Sequence, residues 1–93
     1  MTKYQNSKNY LCRKIVDDII LFPIDEKTAG FRGGIYLNNV SYFVWTLLEN
    51  PKTVEEISYE VSNEFKSDMK IVKPDIEELM EQFIDMKVVN ILH

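Results

Sequence analysis

Gly34-Ile35-Tyr36-Leu37-Asn38 runs directly into Asn39-Val40-Ser41-Tyr42-Phe43-Val44-Trp45-Thr46-Leu47-Leu48. The first stretch reads as a short β-prone run closed by a helix-capping residue. The second reads as an amphipathic helix, because Val40, Phe43, Val44, Leu47 and Leu48 fall at i, i+3, i+4, i+7 and i+8. Asn38 or Asn39 caps it by accepting a hydrogen bond from an early orphan N–H. Asn50-Pro51 ends it. A strand therefore feeds a helix with almost no connection, and the rest of the chain is read from that junction.

Upstream, residues 12–16 read as a strand, Asp17-Asp18 as a turn, and residues 19–22 as a second strand bounded by Pro23. Residues 25–30 form a polar loop. Residues 31–37 read as a third strand, weakened at Gly33-Gly34. Connections this short make the three strands antiparallel. Met1 to Tyr10 is rich in Asn, Lys, Ser and Gln and reads as a mobile tail, leaving residues 11–93 as one domain.

Downstream, Thr53 and Glu56 form a capping-box pattern that opens a second helix, with Val54, Ile57, Val61 and Phe65 on its inner face. Lys66-Ser67-Asp68 begins a loop. Pro74 fits the first turn of a third helix, where its missing N–H costs nothing. Ile76, Leu79, Met80, Phe83 and Ile84 repeat the helical spacing. Residues 88–92 are a β-prone tail. The fold class is α+β, three strands followed by three helices.

Ninety-three residues suit a single domain, which buries only about 60–65% of its unfolded surface. A deep catalytic cleft is hard to build on that scale. The 45% apolar content supplies a core. The net charge of −4 and pI near 4.9 argue against nucleic-acid binding, which basic charge normally drives. Residues 1–10 lack the apolar segment of a signal peptide, and no run is long enough to span a bilayer, so a cytoplasmic location away from membranes is expected.

Catalytic and metal chemistry find few candidate groups. Cys12 is the sole cysteine, and His93, the sole histidine, is the last residue. A zinc site needs about four ligands at short spacing, and a Ser–His–Asp set needs a well-placed histidine. No enzyme activity, metal or cofactor is expected. Asp75, Glu77, Glu78, Glu81 and Asp85 crowd the third helix. Paired carboxylates can do acid–base work; the plainer reading is a solvated face opposite Ile76, Leu79, Met80 and Phe83. Gly33-Gly34 lacks the Lys-Ser/Thr of a phosphate loop. It reads as a bulge or bend, or as a strand edge left open to another backbone. Trp45, the only tryptophan, reads as core. Tyr36, Tyr42 and Tyr59 line a groove or lie at the surface.

The order of strand, Tyr36-Leu37-Asn38, helix with Trp45-Thr46-Leu47-Leu48, then Pro51-Lys52-Thr53-Val54-Glu55-Glu56-Ile57 resembles the PqqD-like family over roughly residues 15–92. These small domains, also called RiPP recognition elements, hold the leader of a ribosomally synthesised precursor peptide for a modifying enzyme. The resemblance implies a winged-helix-like arrangement and a non-catalytic peptide chaperone of natural product biosynthesis. It also implies β-augmentation: the leader pairs antiparallel with the third strand and lies in a groove against the third helix. On this sequence the strand side is Phe31, Arg32, Gly34, Ile35, Tyr36 and Leu37. The helix side is drawn from Ile76, Leu79, Met80 and Phe83. Arg32 and Lys73 are candidates to pair with acidic leader residues, and the acidic third helix to meet basic residues of a leader or of an enzyme. The implied enzyme partner is a radical S-adenosylmethionine maturase or a leader peptidase. The rival class is a winged-helix DNA-binding regulator. The carboxylates of the third helix argue against it, since a recognition helix presents basic and amide side chains to DNA.

Overall fold

The computed structural model describes residues 1–24 and 34–93. In chain order the elements are β1 (Lys3–Asn6), β2 (Tyr10–Ile15), β3 (Asp18–Pro23), β4 (Ile35–Leu37), α1 (Asn39–Leu47), α2 (Val54–Phe65), α3 (Met69–Asp85) and β5 (Val89–Leu92). Two antiparallel sheets result: β2-β3-β4, and β1 paired with β5. The three-stranded sheet followed by three helices is the α+β arrangement expected from the sequence. Among the described residues no helix is long and apolar enough to cross a membrane.

The register explains the sheet's two faces. Cys12, Leu21 and Ile35 lie abreast, as do Lys14, Ile19 and Leu37. Partners abreast share a face, and residues two apart along a strand return to it. Ile19, Leu21 and Leu37 therefore enter the core. Arg13, Ile20 and Tyr36 lie on the opposite face, where Tyr36 is 67% exposed while Ile20 is buried.

Local chemistry sets the helix ends. Asn38 accepts from Ser41 N–H at 2.8 Å, and Ser41 Oγ accepts from Asn38 N–H at 2.9 Å. Thr53 and Glu56 make the same reciprocal pair, with N–H to carboxylate at 2.9 Å and N–H to hydroxyl at 3.1 Å. The bond from Thr53 N–H holds the Glu56 carboxyl below its ordinary pKa. At the end of α3, Val88 N–H reaches the Phe83 carbonyl and Lys87 N–H reaches that of Ile84, with Lys87 at φ 62. This is a Schellman closure, and it buries Val88 beside Phe83.

The core joins the inner sheet face to Val44 and Trp45 of α1 with Leu48 at its C-cap, Ile57 and Val61 of α2, and Val72, Ile76, Met80 and Phe83 of α3. Trp45 is core as expected. The α1 stripe is rotated from the expected one: Val44, Trp45 and Leu48 are buried, whereas Val40 is exposed. The strand–helix junction turns Val40 toward α3 instead. Phe65 is also partly exposed and packs edge-on against Phe43, with ring centroids 5.6 Å apart at 87°.

Two further expectations change. The sequence reading placed Met1 to Tyr10 in a mobile tail, but Lys3–Asn6 is strand β1, in register from Lys3↔Leu92 to Asn6↔Val89, and Tyr10 begins β2. Tyr4 also exchanges backbone hydrogen bonds with Lys52, at 2.7 and 3.0 Å. A polar segment is ordered here by backbone pairing, which composition does not register. Pro74 lies inside α3 and not in its first turn. Asp68 caps the helix earlier by accepting from Lys70 N–H at 2.8 Å, and Val72 anchors the added turn in the core. The price is the single N–H that proline lacks, whose partner would be the Lys70 carbonyl.

Candidate functional site

The order β2-β3-β4 leaves β4 at the edge of its sheet. Among the described residues no strand pairs with its far side. Alternate residues of an antiparallel edge direct N–H and C=O groups outward, and these groups require a partner strand or water. Such an edge is a template for an incoming extended chain.

Gly34 controls entry into this edge. A Cβ at Gly34 would lie 2.2 Å from Ile20 Cγ2 and 2.7 Å from the Leu21 carbonyl oxygen. The bare α-carbon thus lets the chain close onto β3. Of the expected strand-side residues, Ile35 is half-buried, Leu37 is buried and Tyr36 is exposed on the outer face. Phe31 and Arg32 lie outside the described residues, as does Gly33.

Where β4 ends, a cleft begins. Asn38, Val40 and Ser41 at the start of α1 face Asp75, Glu78, Leu79 and Gln82 of α3 across about 240 Å³. At about 100° per residue, these four α3 residues share one side of the helix, and Ile71, 66% exposed, falls on the same line one turn before Asp75. Val72, Ile76, Met80 and Phe83 form the adjoining, core-facing side.

This geometry sorts the expected helix-side residues. Ile76, Met80 and Phe83 are at most 2% exposed and belong to the core. Leu79 alone of that set lines the cleft. Lys73 points nearly opposite, toward α2, where its ammonium pairs with Glu55. The Glu55 carboxylate raises the Lys73 pKa. Lys73, expected as a candidate to pair with an acidic leader, thus lies on the α2 side of α3, away from the cleft. Sequence reasoning missed Asn38, Val40, Ser41, Asp75, Glu78 and Gln82 as a group. The spacing Asp75, Glu78, Gln82 marks one helix line, but only the fold sets it opposite α1.

Elsewhere, Cys12 sits half-buried in β2, and burial pushes its thiol pKa up, away from the nucleophilic thiolate. Among the described residues no three His, Cys, Asp or Glu side chains come together as metal ligands.

A small sheet whose edge strand β4 runs into a helix-lined cleft gives a domain of the winged-helix-like kind. The chain belongs to the PqqD family: the family model described as Coenzyme PQQ synthesis protein D (PqqD) matches residues 18–89. Two solved structures share the fold. One is TbiB1 in complex with the TbiA(beta) leader peptide, at 22% identity and TM-score 0.72, covering 92% of this chain and 94% of that one. The other is the solution NMR structure of the PqqD truncation of Methylobacterium extorquens PqqCD, a stand-alone RiPP recognition element, at 14% identity and TM-score 0.73, covering 95% and 88%. No curated protein matches the sequence.

Proposed function

We propose that this domain binds the leader of a ribosomally synthesised precursor peptide and presents it to a modifying enzyme, without catalysis of its own. The observation that carries the reading is the edge strand β4, unpaired on its far side among the described residues, running into the cleft between α1 and α3. The leader adds as a fourth strand beside Ile35–Leu37. Backbone hydrogen bonds supply affinity, and side chains alternating toward the cleft supply specificity. Membership of the PqqD family supports this function, as does a structural relative whose description includes a leader peptide. The enzyme partner belongs to the same reading, a radical S-adenosylmethionine maturase or a leader peptidase, in the cytoplasm. The DNA-binding alternative gains nothing from the fold, because α3 sets Asp75, Glu77, Glu78, Glu81 and Asp85 against only Lys70 and Lys73, and Lys73 is paired.

Calorimetry against leaders encoded by short reading frames beside the gene tests the proposal. Micromolar to nanomolar binding is expected, about −8 to −12 kcal/mol. Amide exchange should slow in β4 and along the cleft side of α3. Ile35→Pro, which removes a strand donor, should abolish binding while the far-UV helical signal persists. Protection confined to α2, or no binding by any such leader, would overturn the proposal.

A further inference from the structure

We infer that the cleft between α1 and α3 selects a leader bearing a lysine or arginine just beyond the segment that pairs with β4; this rests on the reading that the leader follows that edge. The cleft continues directly from the edge, because Leu37 ends β4 and Asn38 is the first lining residue. A strand paired with β4 must pass over it or turn away.

The lining suits one kind of side chain. Val40 and Leu79 supply apolar surface, while Asp75 and Glu78 supply carboxylates. Lysine and arginine combine an aliphatic stem with a cationic head and bury the first while keeping the second at a polar rim. A purely apolar side chain would leave the carboxylates facing hydrocarbon. An acidic one would be repelled.

The competing field is too weak to reverse this preference. The N-terminus of α1 carries about half a positive charge. Part of it is already answered by the mutual cap of Asn38 and Ser41. Two full carboxylates stand across from it. No lysine or arginine lines the cleft among the described residues, and Lys73 is held by Glu55 on the other side of α3. The other α3 carboxylates Glu81 and Asp85 lie outside the cleft, nearer the end of the helix beside Tyr4 and Ile91.

The test is selection of a random-peptide display library on the full chain and on an Asp75→Asn/Glu78→Gln variant. The wild-type chain should enrich peptides with Lys or Arg at one fixed position, and those peptides should protect β4 amides. Their affinity should fall about tenfold or more in the variant, the size of a lost charge-assisted contact. Changing that peptide residue to Met should weaken binding to the wild type and change nothing further in the variant. A Glu77→Gln/Glu81→Gln control, which removes equal charge outside the cleft, should bind as the wild type does. Peptides that protect β4 but share no basic position, or equal losses in variant and control, would overturn the inference and leave the proposed function standing. If no selected peptide protects β4, the proposed function fails and the inference with it.

Discussion

The Asn6 side-chain amide donates to the Trp45 carbonyl at 3.2 Å, across 39 positions of sequence. Asn6 N–H also donates to the Leu48 carbonyl at 2.8 Å. One residue of β1 thereby reaches two carbonyls at the end of α1: that of Leu48, and that of Trp45, which also accepts from Leu48 N–H at 3.2 Å. The Trp45 indole N–H completes the link toward β5 through the Val88 carbonyl, at 3.4 Å. The N-terminal strand thus ties down the end of the helix that follows β4.

Asn6→Ala should therefore destabilise the domain by about 0.5–1.5 kcal/mol, because it removes the buried bond from the Asn6 amide to the Trp45 carbonyl while leaving the backbone bond in place. A lower urea midpoint with unchanged m-value checks this. Deleting residues 1–7 should cost more, since it also removes the ladder to β5.

Gly34→Val should cost about 1–3 kcal/mol by overpacking. The new Cβ would meet the Leu21 carbonyl oxygen at 2.7 Å, and backbone there cannot yield as a flexible side chain does. Thermal unfolding followed by circular dichroism reads the loss. A variant as stable as the wild type would show that β4 can draw back from β3.

Ser58→Ala should raise stability by up to about 1 kcal/mol. The Ser58 hydroxyl is fully buried in α2 and has no hydrogen-bond partner among the described residues. Removing an unpaired buried hydroxyl recovers its desolvation cost, and alanine is the better helix former. Denaturant unfolding measures the gain; a loss would reveal a partner for the hydroxyl.

Val16→Gly should stabilise the β2–β3 hairpin by about 1 kcal/mol. Val16 holds φ 58, a left-handed conformation that its branched Cβ disfavours, and it is 86% exposed, so little packing is lost. The thermal midpoint should rise while leader affinity stays unchanged.

Much of the fold is legible along the chain because its signals are local. Thr53 and Glu56 are three residues apart and announce a helix start through bonds each makes to the other's backbone. The turn expected at Asp17-Asp18 falls one residue earlier, at Val16-Asp17, with Asp18 already paired to Ile15, and the i, i+3, i+4 spacing of Ile76, Leu79 and Met80 marks α3. Such patterns depend on dihedral angles and side-chain reach within a turn or two. They do not say which residue of an apolar stripe is core and which is groove. Ile76 and Leu79 look alike in sequence, yet one is sealed in the core and the other lines the cleft.

The sequence by itself determined three of the strands, the three helices, the cap at Thr53 and the capping region at Asn38-Asn39, the buried tryptophan and the acidic character of the third helix. Tertiary structure alone decided that a polar N-terminal segment becomes β1, because its partner Val89–Leu92 lies at the other end of the chain and the attraction is backbone pairing, blind to side-chain type. It also decided that Lys73 turns to Glu55 and that Asp75 and Glu78 face Val40. Those contacts depend on how whole helices are rotated against one another, and rotation is set by the packing of the entire core rather than by any short run of residues.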